Sequence, residues 1–166
     1  KWAWKHTQRE KIDEKWLEQP VELSKINEEG IKELVKNEDS EKLRLINVWA
    51  TWCGPCVLEY PDLVDVHRMF EGRGFEFVSV SADVVSKEAK VLEFLQKNHS
   101  GLKNYLFDND DKYALIEAID PDWNGALPYT ILVEPNGQVV WKHQGSLDFL
   151  ELKRAIVGHD MIGRFF

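Results

Sequence analysis

The sequence is poor in cysteine, has no excess of positive charge and contains no long apolar run. Its two cysteines, Cys53 and Cys56, are too few for a small scaffold held by disulfides, which carries four, six or eight. Aspartate and glutamate (29) outnumber lysine and arginine (21), leaving a net charge of −8, so we expect no nucleic-acid partner. The longest uncharged stretch, Leu45 to Leu58, contains glycine and proline and is too short to span a membrane as a helix.

Length and composition instead indicate one globular domain. A chain of 166 residues, 43% of them hydrophobic, is long enough to bury a core without disulfides. We predict that residues 1–20 form a polar N-terminal extension closed by Pro20, and that residues 21–166 form a single domain with a short C-terminal tail. The chain begins at Lys1 without an initiator Met or a leader pattern, so we expect a mature or truncated form.

Apolar periodicity predicts alternating strands and helices. The strand-like runs are Val21–Leu23, Leu43–Trp49, Phe75–Ser81, Lys103–Phe107, Tyr129–Val133 and Gln138–His143. The helical runs are Ile26–Val35, Gly54 to the glycines at 72 and 74, Ser86–Asn98, Asp110–Ile119 and Leu147–Val157. We predict Ser86 as the cap of the third helix, and Asp108 or Asn109 as the cap of the fourth. This order predicts an α/β fold whose mixed sheet has helices on both faces.

Two further patterns concern turns and the core. Pro135-Asn136-Gly137 between two apolar runs predicts a hairpin, because Asn and Gly accept positive φ. The final helix is expected to cover the sheet with Leu147, Leu150, Ala155 and Ile156. The strand residues predicted to be core are Phe75, Phe77, Val78, Val80, Ile131 and Val133.

The candidate chemistry lies in Cys53-Gly54-Pro55-Cys56, where a predicted strand ends and a helix begins. A thiol at a helix N-terminus is favoured as thiolate by free N–H groups and the helix dipole. Gly54 is expected to allow a tight turn, and Pro55 suits the first helical turn. One turn brings Cys56 beneath Cys53, within disulfide distance. We therefore predict Cys53 as the exposed attacking thiolate and Cys56 as the buried thiol that resolves the mixed disulfide.

A metal site is the other interpretation of a close cysteine pair. Structural zinc needs four ligands, and the chain has no second Cys pair. Its five histidines show no paired ligand spacing. The sequence therefore favours redox chemistry, with no metal and no cofactor.

The motif Trp-Cys-Gly-Pro-Cys after an apolar strand, Pro61 five residues past the second Cys, and Leu127-Pro128 before a later strand together resemble the thioredoxin fold. Within it, Leu43 to Gly158 is similar to the extracytoplasmic TlpA/ResA-like thiol–disulfide oxidoreductases of the redoxin/AhpC-TSA-like superfamily. The resemblance implies a three-layer α/β/α sandwich with a strand–helix insertion over Ser81–Ile119. It also implies that Pro128 is cis and faces the cysteines, with the Leu127 backbone pairing to an extended substrate.

One position departs from cytosolic thioredoxins, which carry a buried Asp six residues before the first Cys. Here that residue is Asn47, which cannot accept a proton. Glu59 lies three residues after Cys56, on the same helical face, and the TlpA/ResA-like group has a Glu at this place. The match suggests that Glu59 accepts the proton of Cys56, with its pKa raised by partial burial. The alternative is a solvated Glu in the first turns of a helix, where acids are favoured.

Three more residues near the motif have predicted roles. Pro61 is expected to bend the helix, because the Val57 carbonyl loses its N–H partner. Trp52 is expected to shape the docking surface beside Cys53, together with Gly54 and Pro55. For Trp123 we favour packing over substrate contact.

The favoured function is dithiol–disulfide exchange with protein substrates, acting as a reductant and regenerated by an upstream thiol donor. From the resemblance we expect a monomer in an extracytoplasmic, periplasmic setting, with a membrane anchor before Lys1 in the precursor. A peroxiredoxin-like peroxidase needs a Thr and a Pro at positions held by Ala50 and Ile46, with Thr51 one residue out of place. A copper carrier on this fold would space its cysteines by three and add a His.

Overall fold

The computed structural model describes residues 14–163 and builds them around one mixed sheet. Its strands are β1 (Ser24–Ile26), β2 (Leu43–Trp49), β3 (Phe75–Ser81), β4 (Lys103–Phe107), β5 (Tyr129–Val133) and β6 (Val139–Gln144). Their order across the sheet is β1-β4-β3-β2-β5-β6. Strands β1 to β4 are mutually parallel, whereas β5 runs antiparallel to both β2 and β6. The prediction of a mixed sheet is therefore confirmed.

Strand β2 lies between β3 and β5 and is buried along its whole length. Its register with β3 pairs Leu43 with Phe75 and Trp49 with Ser81. Both strands are parallel, so the segments that follow Trp49 and Ser81 leave the same edge of the sheet. This edge carries the candidate site.

Helices cover both faces of the sheet. They are α1 (Glu28–Lys36), α2 (Gly54–Phe70), α3 (Glu88–Lys97), α4 (Lys112–Ile119), α5 (Phe149–Val157) and the short α6 (Asp160–Gly163), with a 3₁₀ turn at Val85–Lys87. One core joins alternate residues of β2 and β3 to α2, α3 and α5; it includes Leu45, Phe77, Leu63, Leu95 and Leu152. The other joins the opposite faces of those strands to α1 and α4; it includes Ile46, Val78, Ile31, Leu34 and Leu115. The domain is thus a three-layer α/β/α sandwich.

The insertion between β3 and β5 contributes α3, β4 and α4. Strand β4 pairs with β3 on one side and with β1 on the other. Helix α4 packs against α1. The predicted strand–helix insertion is therefore present, and it ties the N-terminal strand to the rest of the sheet.

Some local predictions were wrong. The first strand is Ser24–Ile26 rather than Val21–Leu23, because pairing with β4 decides which extended residues join the sheet. Ser86 lies inside the 3₁₀ turn and caps nothing. The cap of α4 is Asp111, whose side chain accepts from the Tyr113 N–H at 3.0 Å, rather than Asp108 or Asn109.

The last helix also differs from its prediction. It starts at Phe149, capped by Asp148, and buries Leu152 and Ile156, while Leu150 is 59% exposed. The neighbouring hairpin is as predicted: Glu134 N–H bonds to the Gln138 carbonyl at 2.9 Å, and Gly137 has φ +86°. All six predicted strand core residues are buried.

Part of the predicted N-terminal extension lies outside the described residues, including Trp2 and Trp4. Residues 14–18 are helical, and Trp16 is 8% exposed. The Trp16 ring meets the buried His67 of α2 edge-on, 5.8 Å between ring centres. The end of the segment before Pro20 is therefore packed on the domain.

A buried ion pair lies near the start of β2, at the end of the sheet opposite the motif. Arg44, which is 3% exposed, donates to Glu76 at 2.6 Å and to the Leu34 carbonyl at 2.9 Å. Lys103 also contacts Glu76. Burial opposes ionisation of Glu76, but hydrogen bonds from Lys103 and Arg44 and their charges hold the pKa of Glu76 below its usual value.

None of the helices formed by residues 14–163 combines the length and the apolar character needed to cross a bilayer.

Candidate active site

A tight turn connects the central strand to α2. The Cys53 N–H bonds to the Ala50 carbonyl at 3.2 Å, closing a turn through Thr51 and Trp52. Helix α2 then begins at Gly54, with Cys53 as its N-cap and Pro55 in the first turn. Proline costs no hydrogen bond there, because the first N–H groups of a helix have no partner inside it.

The two cysteines are joined by a disulfide, with 5.2 Å between their Cα atoms. The Cys56 N–H points to Cys53 Sγ at 3.3 Å, so the sulfur occupies the position of a capping acceptor. The prediction of an exposed Cys53 is wrong for this disulfide state, since Cys53 is 6% and Cys56 1% exposed. Cys53 is still the more accessible of the two cysteines, and its neighbours Trp52 and Gly54 are exposed.

The residues around the disulfide differ in what they contribute. Gly54 was expected to allow a tight turn; it has no positive φ, and a Cβ there would meet nothing within 4 Å, so neither its backbone conformation nor close packing requires a glycine. Gly54 and Pro55, which lie between the two cysteines, are exposed. Trp52 is 58% exposed, and the Lys112 ammonium lies 4.9 Å from its ring centre.

The predicted cis bond is present between Leu127 and Pro128. Leu127 packs against the core cluster that contains both cysteines and also against the cluster on the other sheet face. Pro128 is buried, and its carbonyl accepts the Gly145 N–H at 2.8 Å. This segment enters β5, which is the antiparallel neighbour of β2.

Glu59 lies on α2 one turn after Cys56 and is only 7% exposed. Its Oε1 accepts the Leu147 N–H at 3.1 Å, whereas Oε2 is buried with no hydrogen-bond partner among residues 14–163. Burial raises the pKa of Glu59 above 4.5, although the Leu147 N–H and the charge of His143 partly offset this. The alternative of a solvated surface carboxylate does not fit this burial.

Comparison with known proteins places this geometry in a family. The model of the family described as Redoxin matches residues 22–156. This chain belongs to the redoxin family. It is 31% identical to the thiol-disulfide oxidoreductase ResA of Oceanobacillus iheyensis over 136 residues, covering 76% of this chain and 62% of that relative. ResA of Bacillus subtilis is 29% identical over 108 residues, covering 61% of this chain and 52% of the relative.

The redoxin chain therefore spans between 52% and 62% of the length of these two relatives. Among solved structures, the thioredoxin domain of a thiol-disulfide oxidoreductase from Bacteroides vulgatus is similar with a TM-score of 0.59. It is 24% identical, and the match covers 71% of this chain and 81% of that one. The predicted thioredoxin-like fold is confirmed.

Asn47 of the redoxin domain is fully buried on β2. Its Nδ2 donates to Thr130 Oγ1 at 3.0 Å, and its Oδ1 has no hydrogen-bond partner in the described part of the chain. An amide in this place can join β2 to β5 through Thr130. It carries no titratable group, so Asn47 itself cannot take a proton from a cysteine.

Sequence reasoning missed Asp83, which follows β3. Asp83 is 3% exposed, and its carboxylate accepts hydrogen bonds from Thr51 and Ser81. The sequence does contain a signal for this contact. Ser81 and Asp83 lie at the end of β3, and because β3 is parallel to β2 and adjacent to it, the end of β3 lies beside the loop that follows β2.

Trp123 and Pro61 also lie near the motif. Trp123 is 5% exposed, stacks on Tyr129 with ring centres 4.9 Å apart, and donates to the Ala126 carbonyl at 2.9 Å. The packing interpretation of Trp123 is therefore confirmed. Pro61 lies inside α2, and the bend expected there stays a prediction. Within residues 14–163, no three His, Cys, Asp or Glu side chains come together as metal ligands would.

Proposed function

We propose that this redoxin domain is a thiol–disulfide oxidoreductase that reduces disulfides in protein substrates. The observation that carries the proposal is the Cys53–Cys56 disulfide at the N-terminus of the helix after the central strand. A disulfide closing so short a loop stabilises a fold little. Its place at a helix terminus, where a thiolate is favoured, suits exchange chemistry instead.

The first step begins with the reduced pair. The Cys53 thiolate attacks one sulfur of the substrate disulfide, forming a mixed disulfide and releasing the other substrate sulfur as a thiolate. The positive end of α2 and the Cys56 N–H favour the anionic form of Cys53 Sγ. Thiolate character at this sulfur sets the fraction of the protein that can attack at neutral pH.

The second step releases the product. Cys56 loses its proton and attacks Cys53 Sγ, which breaks the mixed disulfide and leaves Cys53–Cys56 oxidised. The two electrons of the dithiol thereby reduce the substrate disulfide to two thiols. Glu59 is the proton acceptor in this proposal: it lies on the same helix face as Cys56, and its raised pKa brings proton transfer closer to neutral pH.

The surface around Cys53 supports a protein substrate. Trp52 offers an exposed aromatic face, and Leu127 precedes a cis proline at the start of β5. Gly54 and Pro55 are exposed beside Cys53. In the proposal an extended substrate segment lies against Leu127 and Pro128, with Trp52 at its side.

The likeness to the ResA proteins supports a proposal about the compartment and partners of this domain. We place this domain outside the cytoplasm, in a periplasmic or equivalent compartment, where disulfides form and persist. A dithiol donor of more negative reduction potential regenerates the Cys53–Cys56 dithiol. The domain acts as a monomer, and anchoring of the precursor to the membrane belongs to the same proposal.

The test is insulin reduction with a dithiol donor, comparing wild type with Cys53→Ser and Cys56→Ser. Both variants should lose turnover. After one encounter with a disulfide substrate, Cys56→Ser should accumulate a mixed disulfide that a reducing gel dissolves, whereas Cys53→Ser should form none. Wild-type turnover no faster than the donor alone, or equal trapping by both variants, would contradict the proposal.

A further inference from the structure

The carboxylate of Asp83 lies beneath the turn that carries Cys53. Its Oδ2 accepts the Thr51 N–H at 3.0 Å, and its Oδ1 accepts the Thr51 hydroxyl at 2.5 Å. The Ser81 hydroxyl donates to Oδ2 at 2.6 Å, and the Asp83 N–H donates back to Ser81 Oγ at 3.1 Å. Both carboxylate oxygens are thus occupied, and two of the donors belong to one residue, Thr51.

Because Asp83 is buried, the loss of one of its hydrogen bonds would be costly. Asp83 is 3% exposed, so water cannot replace a lost donor at little cost. Hydrogen bonds to an ionised acceptor are about twice as strong as those between neutral groups. A backbone N–H and a hydroxyl of one residue, held by one carboxylate, define the position of that residue more tightly than a single bond would.

Thr51 is the second residue of the turn from Ala50 to Cys53, which is closed by the Cys53 N–H at 3.2 Å from the Ala50 carbonyl. Strands β2 and β3 also stay paired past their ends, because the Ala82 N–H donates to the Trp49 carbonyl at 2.8 Å. The turn is therefore attached to the sheet through β2 and to the segment after β3 through Asp83. Cys53 is its last residue and the cap of α2.

We infer that Asp83 is a positioning residue that, through Thr51, holds Cys53 Sγ against the N-terminus of α2. The inference rests on the proposed function only in giving that sulfur a catalytic task. If the anchor is released, Cys53 Sγ leaves the Cys56 N–H for part of the time. The thiolate then loses part of the stabilisation that the helix terminus provides.

The experiment changes Thr51 and leaves Asp83 in place, so no ionisable side chain is added or removed. In a Cys56→Ser background Cys53 is the single thiol, and its pKa is read from the pH dependence of its alkylation by iodoacetamide. Thr51→Val removes the hydroxyl at nearly unchanged volume and should raise the Cys53 pKa by about half a unit to one unit. Thr51→Ser keeps the hydroxyl and should retain the parent pKa.

Thermal unfolding of the same proteins separates positioning from stability. A Thr51→Val protein that loses melting temperature but keeps the parent Cys53 pKa would overturn the inference, as would an equal rise in Thr51→Ser. If Thr51→Val does not fold, Thr51→Ala removes the hydroxyl without adding bulk, and the same rise is expected. No protein substrate enters this assay, so a failure of insulin reduction would count against the proposed function alone.

Discussion

Glu59→Gln tests the proposed proton acceptor with little change of shape. Glutamine retains Oε1, which accepts the Leu147 N–H at 3.1 Å in the wild type, so the loop after β6 keeps its contact with α2. The substitution removes the ability to accept a proton. We therefore expect the attack of Cys53 on a disulfide to be unaffected and the attack of Cys56 to become slower.

The size of the effect follows from what can replace the carboxylate. A well-placed general base contributes about 10²- to 10⁴-fold. Glu59 lines an open cleft of about 370 Å³ with Pro55, Leu58, Asp62, Ser146, Leu147 and Phe149, from which water can take over part of the task. We expect the lower end of the range, a loss of about 10²-fold in the resolving step near neutral pH. The loss should shrink above about pH 8.5, where a cysteine ionises unaided.

The resolving step can be isolated with an aromatic disulfide reagent. Reduced protein releases one thionitrobenzoate when Cys53 is modified and a second when Cys56 displaces the first adduct, and both are followed by absorbance. Glu93→Gln is the matched control, because it makes the same change at an exposed position on α3. A second phase in Glu59→Gln with the wild-type rate and pH profile would remove Glu59 from the mechanism.

Stability measured against pH gives a second readout of Glu59→Gln. Because burial raises the pKa of Glu59 above 4.5, the native state holds a proton that the unfolded state has released over the window above pH 4.5. Wild-type stability should fall as pH rises through that window, and the Gln variant should lack this component. Parallel stability curves would show that Glu59 ionises as freely as in the unfolded chain.

The remaining predictions concern the fold. Leu152→Ala should lower the free energy of unfolding by about 3 kcal/mol, because Leu152 is fully buried. Leu150→Ala on the same helix should change it by less than about 0.5 kcal/mol, because Leu150 is 59% exposed. Equal losses in denaturant titrations would refute the burial of Leu152 in α5. Arg44→Met should lower the free energy of unfolding by about 3 kcal/mol, because Glu76 loses the Arg44 guanidinium and keeps the Lys103 ammonium. Insulin reduction should not change, because the ion pair lies at the end of the sheet opposite the cysteines. Glu76 contributes stability above pH 4.5 that is lost on acidification, since its pKa is lowered, so the cost of Arg44→Met should diminish in acid.

Strand positions could be predicted from the sequence where burial is uniform. Strands β2 and β3 have their predicted bounds, because each is a run of apolar and β-branched residues between turns. Helix starts were harder. Four adjacent residues, 108–111, are Asp or Asn, and any of them could cap; the one that does is set by where β4 ends. Similarly, Leu150 and Leu152 are equally apolar, and only the position of the sheet decides which is buried.

Some residues of the candidate site could be predicted from the sequence and others could not. Cys53, Cys56, Pro55 and Glu59 belong to one helix, so their spacing predicts their relation. Asp83 lies 32 residues after Thr51 in the sequence, and its place beside Thr51 depends on the pairing of β2 with β3. Burial of Cys53 depends on contacts from other elements, which spacing along one helix cannot reveal.

The pairing of β1 with β4, and the packing of α1 on α4, have a consequence for engineering. The segment from Ser24 to Lys36 and the inserted segment form one structural module, although residues 37–80, which include the CxxC motif, lie between them. Deleting the insertion alone would remove β4, the strand that pairs with β1, and would expose the apolar face of α1 that packs on α4. A minimised version of the domain therefore has to lose both pieces together or keep both.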